Sequence, residues 1–121
     1  MDIHILLSLF HIFFVVPVLL YVALSKANTT PTMYQIFLFL GVVVFLYQGY
    51  KVFDRLNTGS PYVWVNLIHV LFVAPLMIYI GYTGKDTPRV AYELLALITF
   101  AALGYHTYSL ILLLNVNHQE R

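Results

Sequence analysis

The sequence has no cysteine. Disulfides, thiolate metal sites and thiol nucleophiles are excluded together, so any chemistry falls to His, Tyr, hydroxyl or carboxylate side chains. Charge is nearly as scarce: six Lys or Arg and five Asp or Glu make up 9% of 121 residues. A water-soluble domain carries about 25% charged residues to cover its surface. No basic run offers a footprint for nucleic acid, which is excluded as a partner. The chain also lacks a glycine-rich phosphate loop and any Ser or Thr with a paired base and orienting acid. Its carboxylates sit in loops or at helix ends, so an enzyme is not expected.

Apolar residues are abundant instead, at 61% of the chain with a mean hydropathy of +0.85. That is the composition of a chain whose solvent is lipid, apolar on its outside as well as its inside. Four apolar runs stand at about residues 3–24, 33–53, 62–83 and 90–114. Each is long enough, at 1.5 Å per helical residue, to cross a hydrocarbon layer about 30 Å thick. The runs are continuous and lack the alternation of a membrane barrel, and four strands could not close one. The connections are short and rich in turn residues: Asn28 to Thr32, Asn57 to Pro61 and Gly84 to Pro88. Short links join antiparallel neighbours. The expectation is an all-α, multi-pass integral membrane protein, a four-helix up-down-up-down bundle with both termini on one side. The first run is expected to be retained and not cleaved as a secretory signal, because Asp2 precedes it without Lys or Arg and the run is long for a signal core. Lys51, Arg55 and Arg121 on one side balance Lys26, Lys85 and Arg89 on the other, so basic residues set no orientation.

Shifting the chain by 58 residues against itself aligns His11 with His69, Phe14 with Phe72, Val15 with Val73, Pro17 with Pro75 and Tyr21 with Tyr79. Farther along, Tyr34 meets Tyr92, Tyr47 meets Tyr105, Tyr50 meets Tyr108 and Asn57 meets Asn115. Matches at Leu, Ile and Val are uninformative in apolar segments; a His, a Pro, a Phe and four Tyr in register are not. Two tandem hairpins are therefore expected, residues 1–58 and 59–121, the second ending in a short polar tail. Copies with an even number of helices enter a membrane in the same sense, which implies a pseudo-twofold axis along the membrane normal.

Deep polar groups are the functional candidates in such a chain. His4, Ser8 and His11 share a face of the first helix, and Tyr62, Asn66 and His69 repeat that stripe in the third. Tyr34, Gly41 and Gln48 share a face of the second helix, and Tyr92, Thr99 and His106 one of the fourth. Folding each hairpin about its loop puts His11, His69, His106 and Gln48 at one depth, flanked by Tyr47 and Tyr105. The stripe is expected to face the bundle interior, where hydrogen-bond partners exist.

Pro17 and Pro75 are expected to kink their helices, freeing the carbonyls of Phe13 and Leu71. Tyr34, Tyr50, Tyr62, Tyr82, Tyr92, Tyr108 and Trp64 lie near helix ends and read as headgroup-region anchors. Lys51, Asp54 and Arg55 have the spacing of a local surface ion pair.

The leading functional reading is structural: neutral His, Gln and Tyr hydrogen-bond between helices in a bundle that associates with itself or with partner membrane proteins. No cofactor is required by it. A second reading lines a proton or ion path with the histidines. A third makes them ligands of a redox cofactor, His11 and His69 to haem, or His11, His69 and His106 to a transition metal.

Overall fold

The structure, a computed structural model, describes residues 3–119, with side chains at residues 3 and 5–115. Among the described residues every element is helical and no strand forms. Helix α1 covers residues 3–25 and helix α3 residues 63–83. Helix α2 is Pro31–Thr58 and helix α4 is Arg89–Gln119. Four helices are long and apolar enough to cross a membrane, over Ile5–Asn28, Pro31–Thr58, Val63–Asp86 and Arg89–Asn115. Large apolar side chains such as Phe13, Phe39, Phe53, Leu71 and Leu97 are exposed, as lipid-facing residues must be. This is the build of a small multi-pass membrane protein.

Helix limits follow local chemistry more than hydropathy. Helix α2 starts at Pro31, whose fixed φ suits a first turn, and the Thr30 hydroxyl caps it by accepting from the Met33 N–H at 3.2 Å. It runs past the apolar boundary at residue 53 to Thr58, because Asp54 and Arg55 are as compatible with helix as with water. Gly59 ends it with φ at +71°, its N–H donating to the Arg55 carbonyl, a left-handed cap that glycine adopts without strain. Helix α4 likewise continues beyond residue 114 to Gln119.

Both prolines are accommodated by a widened turn. Helix α1 is α-helical over Ile3–Phe10, π-helical over His11–Val15 and α-helical again over Val16–Ser25. The Val16 N–H reaches back five residues to the His11 carbonyl. In α3 the π-helical turn is His69–Val73, between Val63–Ile68 and Ala74–Thr83, with the Ala74 N–H on the His69 carbonyl. Pro17 and Pro75 follow one residue later. A proline ring in a regular helix collides with the carbonyl four residues back, and the extra residue in a π turn relieves that collision.

The chain divides into two compact units, one of α1 with α4 from Tyr92 onward, the other Lys26–Ala91. In the second unit, Leu38 of α2 meets Gly81 of α3, Gly41 meets Ile78, Gln48 meets Asn66 and Arg55 meets Tyr62. Numbers rising on one helix against numbers falling on the other make α2 and α3 antiparallel. Their backbones approach closely at the two glycines: a Cβ on Gly81 would stand 2.6 Å from the Leu38 nitrogen, and one on Gly41 2.9 Å from Ile78 Cγ1. Small residues at a helix crossing gain dispersion contacts where lipid supplies no hydrophobic drive. At one end, the 3₁₀ turns Lys26–Asn28 and Gly84–Asp86 pack together, and the Tyr34 hydroxyl donates to the Lys26 carbonyl at 2.8 Å. In the first unit, Ile5, Ser8, Val16, Leu19, Val22 and Ala23 of α1 are buried, as are Tyr92, Leu95 and Thr99 of α4.

Gly81→Val should lower the unfolding midpoint in detergent by overpacking, at a cost of about 1–3 kcal/mol. Gly104→Ala, where nothing lies within 4 Å of an added Cβ, should leave it unchanged or raise it. Equal melting of the two variants would show that α2 and α3 do not meet at Gly81.

Candidate functional site

Among the described residues, polar side chains of the four long helices gather in two places, one in each unit. In the Lys26–Ala91 unit the centre is Asn66 on α3, 5% exposed. Its amide nitrogen donates to the Gln48 Oε1 of α2. Its Oδ1 accepts from Arg55 Nη1 at 2.7 Å, and the same Nη1 donates to the Tyr62 carbonyl at 3.1 Å. The arrangement follows from α-helical spacing. Gln48 and Arg55 stand seven residues apart on one face of α2, and Asn66 lies one turn into α3, directly after the loop. An Asn amide carries both donors and acceptors, so one side chain bridges two different partners.

Arg55 is half-buried, and among the described residues no carboxylate comes within ion-pair distance of it. The expected local pair of Lys51 or Arg55 with Asp54 is not formed: Arg55 turns toward α3, while Asp54 is exposed. One residue along a helix rotates a side chain by about 100°, which sets Asp54 and Arg55 on different faces. Arg55 is thus a functional candidate that the sequence reading passed over. Its spacing of seven from Gln48 was the signal available.

In the other unit, His11 of α1 and His106 of α4 stack with ring centroids 4.1 Å apart and planes inclined by 20°. Phe10 packs edge-on to His11 at 5.7 Å, and Tyr105 edge-on to His106 at 5.2 Å. The His11 Nδ1 lies 2.8 Å from the Leu7 carbonyl. The His69 Nδ1 makes the corresponding bond to the Val65 carbonyl, also at 2.8 Å. A carbonyl only accepts, so Nδ1 carries a proton in both.

Not every residue of the expected layer behaves alike. His11 and His106 come together, and Gln48 pairs with Asn66. Tyr47 is exposed and Tyr105 half-exposed. Ser8 and Asn66 of the stripe are buried, whereas the Tyr62 ring is 62% exposed and only its backbone carbonyl joins the cluster, since Tyr62 precedes the first turn of α3. The side chain of His4 lies outside the described residues. Thr99 is fully buried and donates to the Leu95 carbonyl of its own helix at 2.7 Å. Two of the expected anchors are corrected: Tyr34 and Tyr92 are buried at 5% and 2% exposure, while Tyr50, Tyr62, Trp64, Tyr82 and Tyr108 are exposed. Tyr34 faces inward because its hydroxyl has a carbonyl to bind within the protein.

This geometry limits the chemistry. Lone pairs lie in the plane of an imidazole ring, so two near-parallel stacked rings do not converge on one ion at the ~2.0–2.1 Å of a metal–nitrogen bond. Among the described residues, no group of three or more His, Cys, Asp or Glu gathers closely enough to hold a metal ion. Ring contact and amide bridging both fix one helix against its neighbour.

Replacing His106 by Phe keeps a ring against His11, and replacing it by Ala removes one. The Ala variant should lose about 1 kcal/mol of stability in detergent, and the Phe variant clearly less. Equal losses would assign the contribution of His106 to its polar atoms and not to the ring contact. Compared with models of protein families, with curated proteins and with solved structures, the chain matches none.

Proposed function

We propose that this chain is a structural or partner-associating membrane protein without catalytic activity, in which deep polar side chains fix the helices against one another. The observation that carries the reading is the Gln48–Asn66–Arg55 bridge, in which Asn66 spends both ends of its amide on the neighbouring helix. A transport or catalytic site instead keeps polar atoms turned toward a substrate. The stacking of His11 on His106 supports the same reading, because contact between rings specifies rotation without needing a ligand.

The proposal includes the architecture: four helices alternating in direction, built as two tandem hairpins, with both termini on the same side of the membrane. Local structure 58 residues apart supports the duplication. The π turns start at His11 and His69, and the 3₁₀ turns at Lys26 and Gly84. Buried positions recur at the same interval: Ser8 and Asn66, Val16 and Ala74, Leu19 and Met77, Val22 and Ile80, Thr29 and Thr87, Tyr34 and Tyr92, Phe37 and Leu95. Each burial follows the same helix face in both copies.

Labelling, proton flux, thermal stability and metal content test these claims. With no native cysteine to interfere, single cysteines at Ser60 and Asn115 should react with an impermeant maleimide from the same side of sealed vesicles, and one at Asp86 from the other. Labelling of positions 60 and 86 from one side would contradict the alternating topology. In liposomes, the wild type should pass no more protons than empty vesicles at any pH, while His69→Ala and His106→Ala lower the unfolding midpoint. Flux abolished by those two substitutions would replace the structural reading with a His-lined path. A stoichiometric haem or transition metal lost from His11→Ala/His69→Ala would replace it with a redox subunit.

A further inference from the structure

We propose that Arg55, held by Asn66 and Tyr62 where α2 meets α3, binds the phosphate of an anionic phospholipid headgroup, with Lys51 as a second cation beside it. The inference rests on the membrane reading above and adds a ligand class to it.

An arginine has five N–H donors in a rigid plane. Nη1 is engaged by the Asn66 Oδ1 and the Tyr62 carbonyl, both neutral oxygens. Those bonds hold the guanidinium but leave its charge uncompensated, and among the described residues no acidic group is within ion-pair reach. A half-buried cation without an anion is unfavourable at the edge of a low-dielectric layer. The donors on Nη2 and Nε match the oxygens of a phosphate, the planar two-point recognition at which arginine exceeds lysine.

Placement selects the source of that phosphate. Arg55 lies in the last turn of a membrane-length helix, four residues before the Gly59 cap. Tyr50, Phe53, Tyr62 and Trp64 around it in sequence are all exposed apolar or amphipathic rings, the population of the headgroup region. Lys51 stands one helical turn before Arg55 on the same face, half-buried, with no ion-pair partner among the described residues. The backbone is fixed as well, since the N–H groups of Gly59 and Ser60 both donate to the Arg55 carbonyl. A basic pocket between two helices at headgroup depth, preorganised before the lipid arrives, is a recognised form of lipid site. The exposed carboxylate of Asp54 opposes an anion here, which gives the proposal a variant of opposite sign.

Trp64, the only tryptophan in the chain, lies two residues from both Tyr62 and Asn66 and reports on this site. The protein is reconstituted in phosphatidylcholine vesicles containing equal fractions of either phosphatidylglycerol or phosphatidylcholine brominated on the acyl chains, and quenching of Trp64 is compared. Binding by two cations predicts about a fivefold or greater preference for the anionic lipid. Arg55→Gln should abolish most of that preference, Lys51→Gln part of it, and Asp54→Asn should increase it. Arg55→Lys should retain less than the wild type because a point charge replaces a fork. Equal quenching by both brominated lipids in the wild type overturns the proposal and leaves the membrane reading intact. Absence of quenching by either lipid overturns both. A preference that disappears when inorganic phosphate is added to the buffer assigns the site to soluble phosphate and overturns the lipid. The wild-type comparison decides the matter even where Arg55→Gln fails to fold.

Discussion

Water competes for every polar group on a soluble protein, and its cohesion drives apolar faces together. A bilayer core does neither. Backbone hydrogen bonds must close within each segment, and helices of equal greasiness gain nothing from hiding apolar surface from one another. What remains to specify a helix pair is close approach and polar pairing. Both are present where α2 meets α3: Gly41 and Gly81 let the backbones touch, and Asn66 ties α3 to Arg55 about one turn, and to Gln48 about three turns, from the connecting loop. Contacts of these two kinds at separated heights fix rotation and register together, as neither would alone.

The prolines illustrate the same constraint on a single helix. With no water to satisfy a freed carbonyl, a proline inside a membrane segment needs a local remedy. The π turns beginning at His11 and His69 supply one, spreading an extra residue over the turn that the ring would otherwise crowd. Each also begins with a histidine whose Nδ1–H bonds the carbonyl four residues earlier, so the ring is oriented by its own helix before any neighbour is met. That preorientation suits a side chain used for contact, because little rotamer freedom is then lost when α1 and α4 meet.

Helix number and span were legible in the sequence because apolar run length is a direct consequence of membrane thickness. The shared faces were legible in part: Tyr34 and Gly41, seven residues apart, are both buried, as are Tyr92 and Thr99, whereas Gln48 and His106 farther along the same faces are half-buried. Helix ends were less so. Hydropathy stops at Phe53, whereas the helix stops at the glycine that can terminate it. Partner choice was the least legible. Gln48 and His69 are expected at one depth, yet Gln48 pairs with Asn66, because depth says nothing about rotation. Arg55 read as a surface ion-pair residue from its neighbours in sequence, and only the fold reveals that α3 presents an amide to it. Tyr34 read as an anchor from its place near a helix end, although the carbonyl that binds its hydroxyl belongs to the turn at Lys26.

The claim on which the account depends is that Asn66 and Gln48 hold α2 against α3. A double-mutant cycle with Gln48→Ala, Asn66→Ala and the double variant, followed by reversible unfolding in mixed micelles, measures that coupling directly. Polar pairs between membrane helices contribute about 0.6 kcal/mol on average and up to about 1.7 kcal/mol. The account predicts a coupling inside that range, with the double variant less destabilised than the two single losses combined. Strict additivity, with no coupling beyond error, would mean that the two side chains act independently and would contradict polar pairing as the basis of the fold.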